Sequence, residues 1–284
     1  EKNFPNRFIQ NGIAEQDMVS MAGGLASQGL LPVVNSFASF LASRSNEQIY
    51  NNAAEKTKII YACHFAGIIP AGPGKSHQSV RDISLLSTLP NVTIFQPSSA
   101  NEAKQALKYF VEKEAGVCVL RMNIGPSPQI IKQPNGYQLD KGKGFVINKG
   151  EGLPIVAYGP VMLNEALIAS SILSNSGIKT KVINMPWLNC VDKDWLMKEI
   201  SDSELLYVID DHSSIGGLGD HIISSLNNFN GDIIKLGLTD FPYCGNPIEV
   251  LSAHKLDGES IAKKIALDLN ISIGESSNYK NVNY

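Results

Sequence analysis

An acid just ahead of a helix, two histidines bracketing a glycine-rich loop and an arginine closing an apolar strand could do chemistry in this chain. Glu15 lies in Gly12-Ile13-Ala14-Glu15-Gln16, at a loop-to-helix junction. A carboxylate there either complements the helix dipole or shares a proton with a bound group, because burial favours the neutral form of a carboxyl. Phe37 and Phe40 follow a short predicted strand in Asn35-Ser36-Phe37-Ala38-Ser39-Phe40. They either fill a core or offer a platform on which a flat heterocycle stacks. The loop from His64 to Ser79 carries Gly67, Pro70, Gly72, Pro73 and Gly74 ahead of His77 and Gln78. A loop this long in a compact α/β unit is either functional or disordered. It starts where a predicted strand ends, which is where open parallel sheets bind ligands. Its two histidines can donate hydrogen bonds to hydroxyls or phosphates and move protons near neutral pH. No third ligand joins them at metal spacing, so zinc is not expected. Arg121 ends an apolar strand, and a buried guanidinium needs an anion, either a protein carboxylate or a substrate phosphate. Asp210-Asp211-His212 ahead of Gly216, Gly217 and Gly219 resembles a phosphate-cradling turn. Two acids before the glycines would repel an anion, so a tight turn with close helix packing is expected.

The elements that must position these groups alternate. Short β-branched runs are predicted as strands at 31–35, 58–63, 92–95, 117–121, 154–158, 179–184, 205–209 and 233–236. Amphipathic stretches between them are predicted as helices at 16–29, 41–54, 83–89, 162–176, 192–201, 218–226 and 258–269. Met18, Met21, Ala22 and Leu25 share one face of the first helix, and Ser99 with Glu102 forms a capping box that opens another with Ala103, Ala106, Leu107 and Phe110 inward. The fold class is therefore α/β: two three-layer α/β/α domains with mostly parallel sheets. Gly125, Pro126, Pro128, Pro134 and Gly136 mark a linker. The expected domains are 1–127 and 142–270, joined by 128–141 and followed by a tail at 271–284.

The 284 residues suffice for two such domains, and the net charge of −3 gives no basic face for nucleic acid. The apolar runs fall far short of the roughly 20 residues that cross a bilayer, so no membrane partner is expected. Four scattered cysteines without a CxxC fit a reduced, cytoplasmic protein with incidental thiols.

Several ordered segments carry a family resemblance. Asn3–Gln16, NFPNRFIQNGIAEQ, and Met21–Phe40, MAGGLASQGLLPVVNSFASF, resemble the pyrimidine-binding domain of transketolases, deoxyxylulose-phosphate synthases and 2-oxo acid dehydrogenase subunits. Residues 74–102, GKSHQSVRDISLLSTLPNVTIFQPSSANE, resemble the transketolase pattern in particular. Val182–Pro186 and Asp211–Gly219, VINMP and DHSSIGGLG, are similar to the C-terminal domain of the same group. The resemblance implies thiamine diphosphate as cofactor, with a divalent metal (Mg2+ or Ca2+) bound through the diphosphate by ligands that are not on this chain. It implies that Glu15 contacts the aminopyrimidine and favours its imino tautomer, that Phe37 and Phe40 surround that ring, that His64 and His77 line the sugar channel, and that Arg121 helps to hold a substrate phosphate.

The implied reaction is transfer of a two-carbon ketol unit between sugars or sugar phosphates. Two departures flank the implied channel: Ala71-Gly72-Pro73-Gly74 replaces an acidic GEDG, and Arg44-Ser45-Asn46-Glu47-Gln48 stands for R-A-[YF]-D-Q with an extra residue before it. They point to a specialised sugar or ketol donor. Relatives also carry a strand and helix ahead of the segment matching Asn3, and a GDG…N stretch for the diphosphate. A diphosphate-binding domain or subunit is thus an expected partner, alongside a homodimer of this half. The alternatives are deoxyxylulose-phosphate synthase or dehydrogenase-subunit activity, or a non-catalytic scaffold. An aspartate and an arginine of the synthases are replaced here by His64 and Phe65.

Overall fold

The computed structural model describes residues 2–125, 127–148, 151–200 and 203–274. Pro126 of the expected linker, Ser201 of an expected helix and the expected tail from 275 onward lie outside these residues. After a 3-10 turn at Pro5–Arg7, the first half runs α1 (Glu15–Ser27), β1 (Val33–Phe37), α2 (Ala38–Arg44), α3 (Asn46–Ala54), β2 (Ile60–His64), α4 (Asp82–Leu86), β3 (Val92–Phe95), α5 (Ala100–Glu112) and β4 (Val117–Arg121). The second runs β5 (Phe145–Val146), β6 (Leu153–Ala157), α6 (Gly159–Asn175), β7 (Thr180–Asn184), α7 (Lys193–Ile200), β8 (Leu205–Ser213), α8 (Leu218–Ser225), β9 (Asp232–Leu238), α9 (Pro247–Ala253) and α10 (Gly258–Asp268).

The first four strands form a parallel sheet in the order β1-β2-β4-β3. The other five form a sheet ordered β5-β7-β6-β8-β9, in which only the two-residue β5 runs antiparallel. Parallel neighbours need crossover helices, and these supply the outer layers of two α/β/α units. Interior strands read as continuous buried runs, as in the fully buried Val117–Arg121.

Four local features differ from the periodic reading. Helix α1 buries Glu15, Val19, Ala22 and Gly23, leaving Met18, Met21 and Leu25 half-buried. The cause is a close approach: a Cβ on Gly23 would lie 2.1 Å from the side-chain oxygen of Asn52, which reaches across from α3 to donate to Val19 O at 2.9 Å. The helix expected over 41–54 breaks in two at Ser45, whose hydroxyl turns back to Leu41 O at 2.8 Å. In α5, Ser99 accepts from Glu102 N as the capping box requires, but the Glu102 carboxylate turns to Ser98 N at 2.6 Å and to Asn184 Nδ2 at 3.0 Å. Phe110 of α5 meets Phe95 edge-on at 6.3 Å, and this rotation leaves Leu107 exposed. Helix α9 had no counterpart in the periodic reading, although Asn246 caps Ile248 N at 3.0 Å and Pro247 takes the first helical position.

The two halves share one core cluster, running from Val19 through Phe95 to Trp187 and Leu226. Residues 186–189 lie along the edge of β3. Gln96 N donates to Pro186 O at 2.9 Å, Leu188 N to Ile94 O at 2.9 Å and Asn189 Nδ2 to Val92 O at 2.7 Å. The second half thereby closes the open edge of the first sheet.

Candidate functional site

The site lies at the carboxyl ends of β1, β2 and β4. In register, Phe37 sits beside His64, and Ser36 beside Cys63, which in turn faces Arg121. Glu15 is the first residue of α1 and only 5% exposed. Ser36 Oγ donates to its Oε1 at 3.3 Å, and Arg44 Nη1 to its Oε2 at 3.2 Å. Phe37 ends β1 and caps α2, whose first turn carries Phe40. A strand passing straight into a helix thus brings two rings together, with centroids 5.5 Å apart. The Arg44 guanidinium covers Phe40 at 4.1 Å from its ring centre.

Two more rings complete the cluster. Phe65 holds a left-handed backbone (φ +60°) immediately after β2, a strained conformation for an aromatic residue and one of a kind that collects at functional sites. Its ring lies 5.1 Å from Phe37. His77 stands 5.7 Å from Phe37, 5.2 Å from Phe40 and 6.1 Å from Phe65, and Ser76 Oγ lies 3.0 Å from its Nδ1. His64 is half-buried at the end of β2, and burial lowers its pKa, favouring the neutral imidazole.

The loop that carries His77 is ordered. Gly67 and Ser79 exchange backbone hydrogen bonds at 2.9 and 3.1 Å, pinching its neck. Ile68, Ile69 and Ala71 are buried in the core cluster of the second half. Gln78 Nε2 donates to Ile68 O at 2.8 Å and to Tyr243 O at 3.1 Å, and Ser39 Oγ to Ser76 O at 3.3 Å. His77 is therefore held between α2 and the segment after β9.

Arg121 is fully buried, and its anions are protein carboxylates. Nε donates to Asp82 at 2.8 Å, Nη1 to Asp211 at 2.6 Å and also to Gln96, and Nη2 to Ser79 O at 2.9 Å and to Asp82 at 3.3 Å. A guanidinium has five N–H donors, and these five bonds use them all. The expected phosphate contact is thus replaced by a rivet joining β4, α4 and β8. The paired carboxylates hold its pKa well above the ordinary value against the opposing effect of burial. The neighbouring Asp210 accepts from Leu218 N at 2.9 Å and Gly219 N at 3.0 Å, capping α8. A Cβ on Gly216 would lie 2.4 Å from Ser84 Cβ, so the glycine turn serves close packing.

Residues 1–125 match the family described as "Transketolase, pyrimidine binding domain", and residues 142–261 match "Transketolase, C-terminal domain". The chain belongs to the transketolase family. A Methanocaldococcus jannaschii protein provisionally named a transketolase C-terminal section is 33% identical over 93% of this chain and 83% of its own. The 1-deoxy-D-xylulose-5-phosphate synthase of Clostridium acetobutylicum is 32% identical over 93% of this chain, which spans 43% of that enzyme. A split-gene transketolase solved as an "inactive beta4 tetramer" superposes with TM-score 0.82 at 29% identity, covering 95% of this chain and 86% of that one. A Pichia stipitis transketolase variant, at 19% identity and TM-score 0.74 over 91% of this chain and 37% of its own, shares the fold.

This transketolase-family chain thus has the fold of the thiamine diphosphate enzymes. Its residues fit the pyrimidine half of that cofactor: a buried acid able to meet a ring nitrogen, next to aromatic faces able to stack on the ring. Among the described residues, no three His, Cys, Asp or Glu side chains cluster as metal ligands would, and no helix is long and apolar enough to cross a membrane. The structure clusters Phe37, Phe40 and His77, links Glu15 to Phe40 through Arg44, and sets His64 beside Phe37 in register. It adds Ser36, Arg44 and Phe65, which pattern reading had not assigned to the site. Phe65 was signalled by an aromatic directly after His64, and Arg44 by the segment standing for R-A-[YF]-D-Q beside the implied channel; Ser36 carries no sequence mark of its own.

Proposed function

We propose that this chain supplies the cofactor-activating acid and part of the sugar channel of a transketolase-type enzyme that moves a two-carbon ketol unit between sugars. The observation that carries this reading is the buried Glu15 carboxyl beside the cluster of Phe37, Phe40, Phe65 and His77. When bound, thiamine diphosphate supplies a nucleophilic carbon for carbon–carbon cleavage. Glu15 shares a proton with the aminopyrimidine, and Ser36 fixes the rotamer of its carboxyl. Phe40 stacks on the ring, and Phe37 supports Phe40. His77 and His64 hydrogen-bond substrate hydroxyls and relay protons near neutral pH. The diphosphate and its divalent metal are held by another chain or segment, and the site forms when this half pairs with a second copy and with that partner. Residues 1–127 carry the pyrimidine site and 142–270 form the C-terminal domain, joined by 128–141.

The similarity to the deoxyxylulose-phosphate synthases, at nearly the same identity as to the transketolase section, supports a second reading in which pyruvate is the donor. The complex with the diphosphate-binding partner is assayed against phosphorylated, free and nucleotide-linked ketoses and against pyruvate. Ketol transfer to an aldose with no release of carbon dioxide is expected. Decarboxylation of pyruvate with no ketol transfer would assign the chain to the second reading.

A further inference from the structure

Arg44 closes α2, and its guanidinium makes two contacts at once. Its carbon lies 4.1 Å from the centre of the Phe40 ring, while Nη1 donates to Glu15 Oε2 at 3.2 Å. The side chain is 52% exposed, so these two contacts rather than surrounding packing hold its head in place. An aminopyrimidine offers the same combination: a flat, polar, N–H-bearing group that stacks on one aromatic face and hydrogen-bonds one carboxyl. Around the Phe40 ring, Phe37 stands at 5.5 Å and His77 edge-on at 5.2 Å, so Arg44 adds a third neighbour to a ring already flanked by two. A ring that stacks on Phe40 where Arg44 lies and hydrogen-bonds Glu15 Oε2 meets the guanidinium at both points.

We propose that Arg44 competes with the cofactor's aminopyrimidine for the Phe40 face and the Glu15 carboxyl, and swings off both as the ring is seated. The inference rests on the reading of this pocket as the pyrimidine site, and adds a competitor built into the chain that sets the affinity of that site. Arg44 is half-exposed and, among the described residues, its side chain makes only this ion pair and this cation–π contact, so the guanidinium is displaced without disturbing the fold. Planarity matters: a lysine keeps the charge but cannot lie flat on the ring.

The test titrates the complex between the full chain and its diphosphate-binding partner with 4-amino-5-hydroxymethyl-2-methylpyrimidine, the pyrimidine half of the cofactor, by saturation-transfer NMR. Arg44→Ala is expected to bind this probe about fivefold to tenfold more tightly than the parent chain, since no cation has to be displaced. Arg44→Lys is expected to fall between the two, and it carries the comparison should the alanine variant fold poorly. In the Arg44→Ala background, adding Glu15→Ala removes the carboxyl partner of the ring with no competitor present and should weaken binding. Equal or weaker binding by Arg44→Ala and Arg44→Lys, with the double variant still weakened, overturns the competition and leaves the pyrimidine reading in place. A double variant that binds as tightly as Arg44→Ala overturns the pyrimidine reading and the competition with it.

Discussion

Arg121 shows how the need of a single side chain can be legible while the identity of its partners is not. An arginine ending an apolar strand has to meet an anion, but Asp82 and Asp211 lie 39 and 90 residues away along the chain, so nothing local points to them. Removing the cation strands two buried carboxylates. Arg121→Met is therefore expected to cost about 3–5 kcal/mol in urea unfolding, and a loss below about 1 kcal/mol would show that the rivet is not what joins the halves. Glu165 gives a prediction of opposite character. Burial pushes its carboxyl up to about 7, although Gly258 N and Asn164 Nδ2 both donate to it at 2.7 Å. The folded chain keeps a proton that the unfolded chain releases at about pH 4.3. The contribution of Glu165 to stability is complete below that value and is lost as pH rises through about 7. Glu165→Gln should flatten this fall in a series of urea titrations across that range; an unchanged slope would contradict the assignment.

At the scale of elements, most strands could be read to within a residue or two because each is a run of buried β-branched side chains bounded by polar turns. Val92–Phe95 and Val117–Arg121 were read at their bounds. The rotation of α1 was hidden, because the choice between its Met18–Leu25 and Val19–Gly23 faces is made by Asn52 on another helix. The loop from His64 to Ser79 was identifiable as a place for chemistry, yet its anchor was not: Tyr243 is 165 residues from Gln78. The neck of that loop is its most demanding point. Gly67 has φ +83°, and a Cβ there would come within 1.9 Å of Asp211 Oδ2, the carboxylate paired with Arg121. Gly67→Ala should lower stability by about 1–3 kcal/mol and shift the His77 ring resonances together with it. A variant as stable as the parent, with His77 unmoved, would show that the neck does not position the loop.

Across the whole molecule, a parallel sheet and a mostly parallel one share one of two core clusters, and the candidate site lies at the carboxyl ends of the first. The second half contributes by holding the histidine loop and by closing the β3 edge, so the candidate site depends on both halves. This dependence could not be read from periodicity, which describes each half by itself. The chain spans less than half of the curated synthase it matches, in keeping with the proposal that a second polypeptide region completes the cofactor site. The most direct test of the central claim is the rate of hydrogen–deuterium exchange at the thiazolium C2 of thiamine diphosphate, followed by quenched-flow NMR in the complex with the diphosphate-binding partner. If Glu15 activates the cofactor, Glu15→Gln slows that exchange by about a hundredfold or more while the cofactor stays bound. Exchange in Glu15→Gln as fast as in the parent complex would contradict the account.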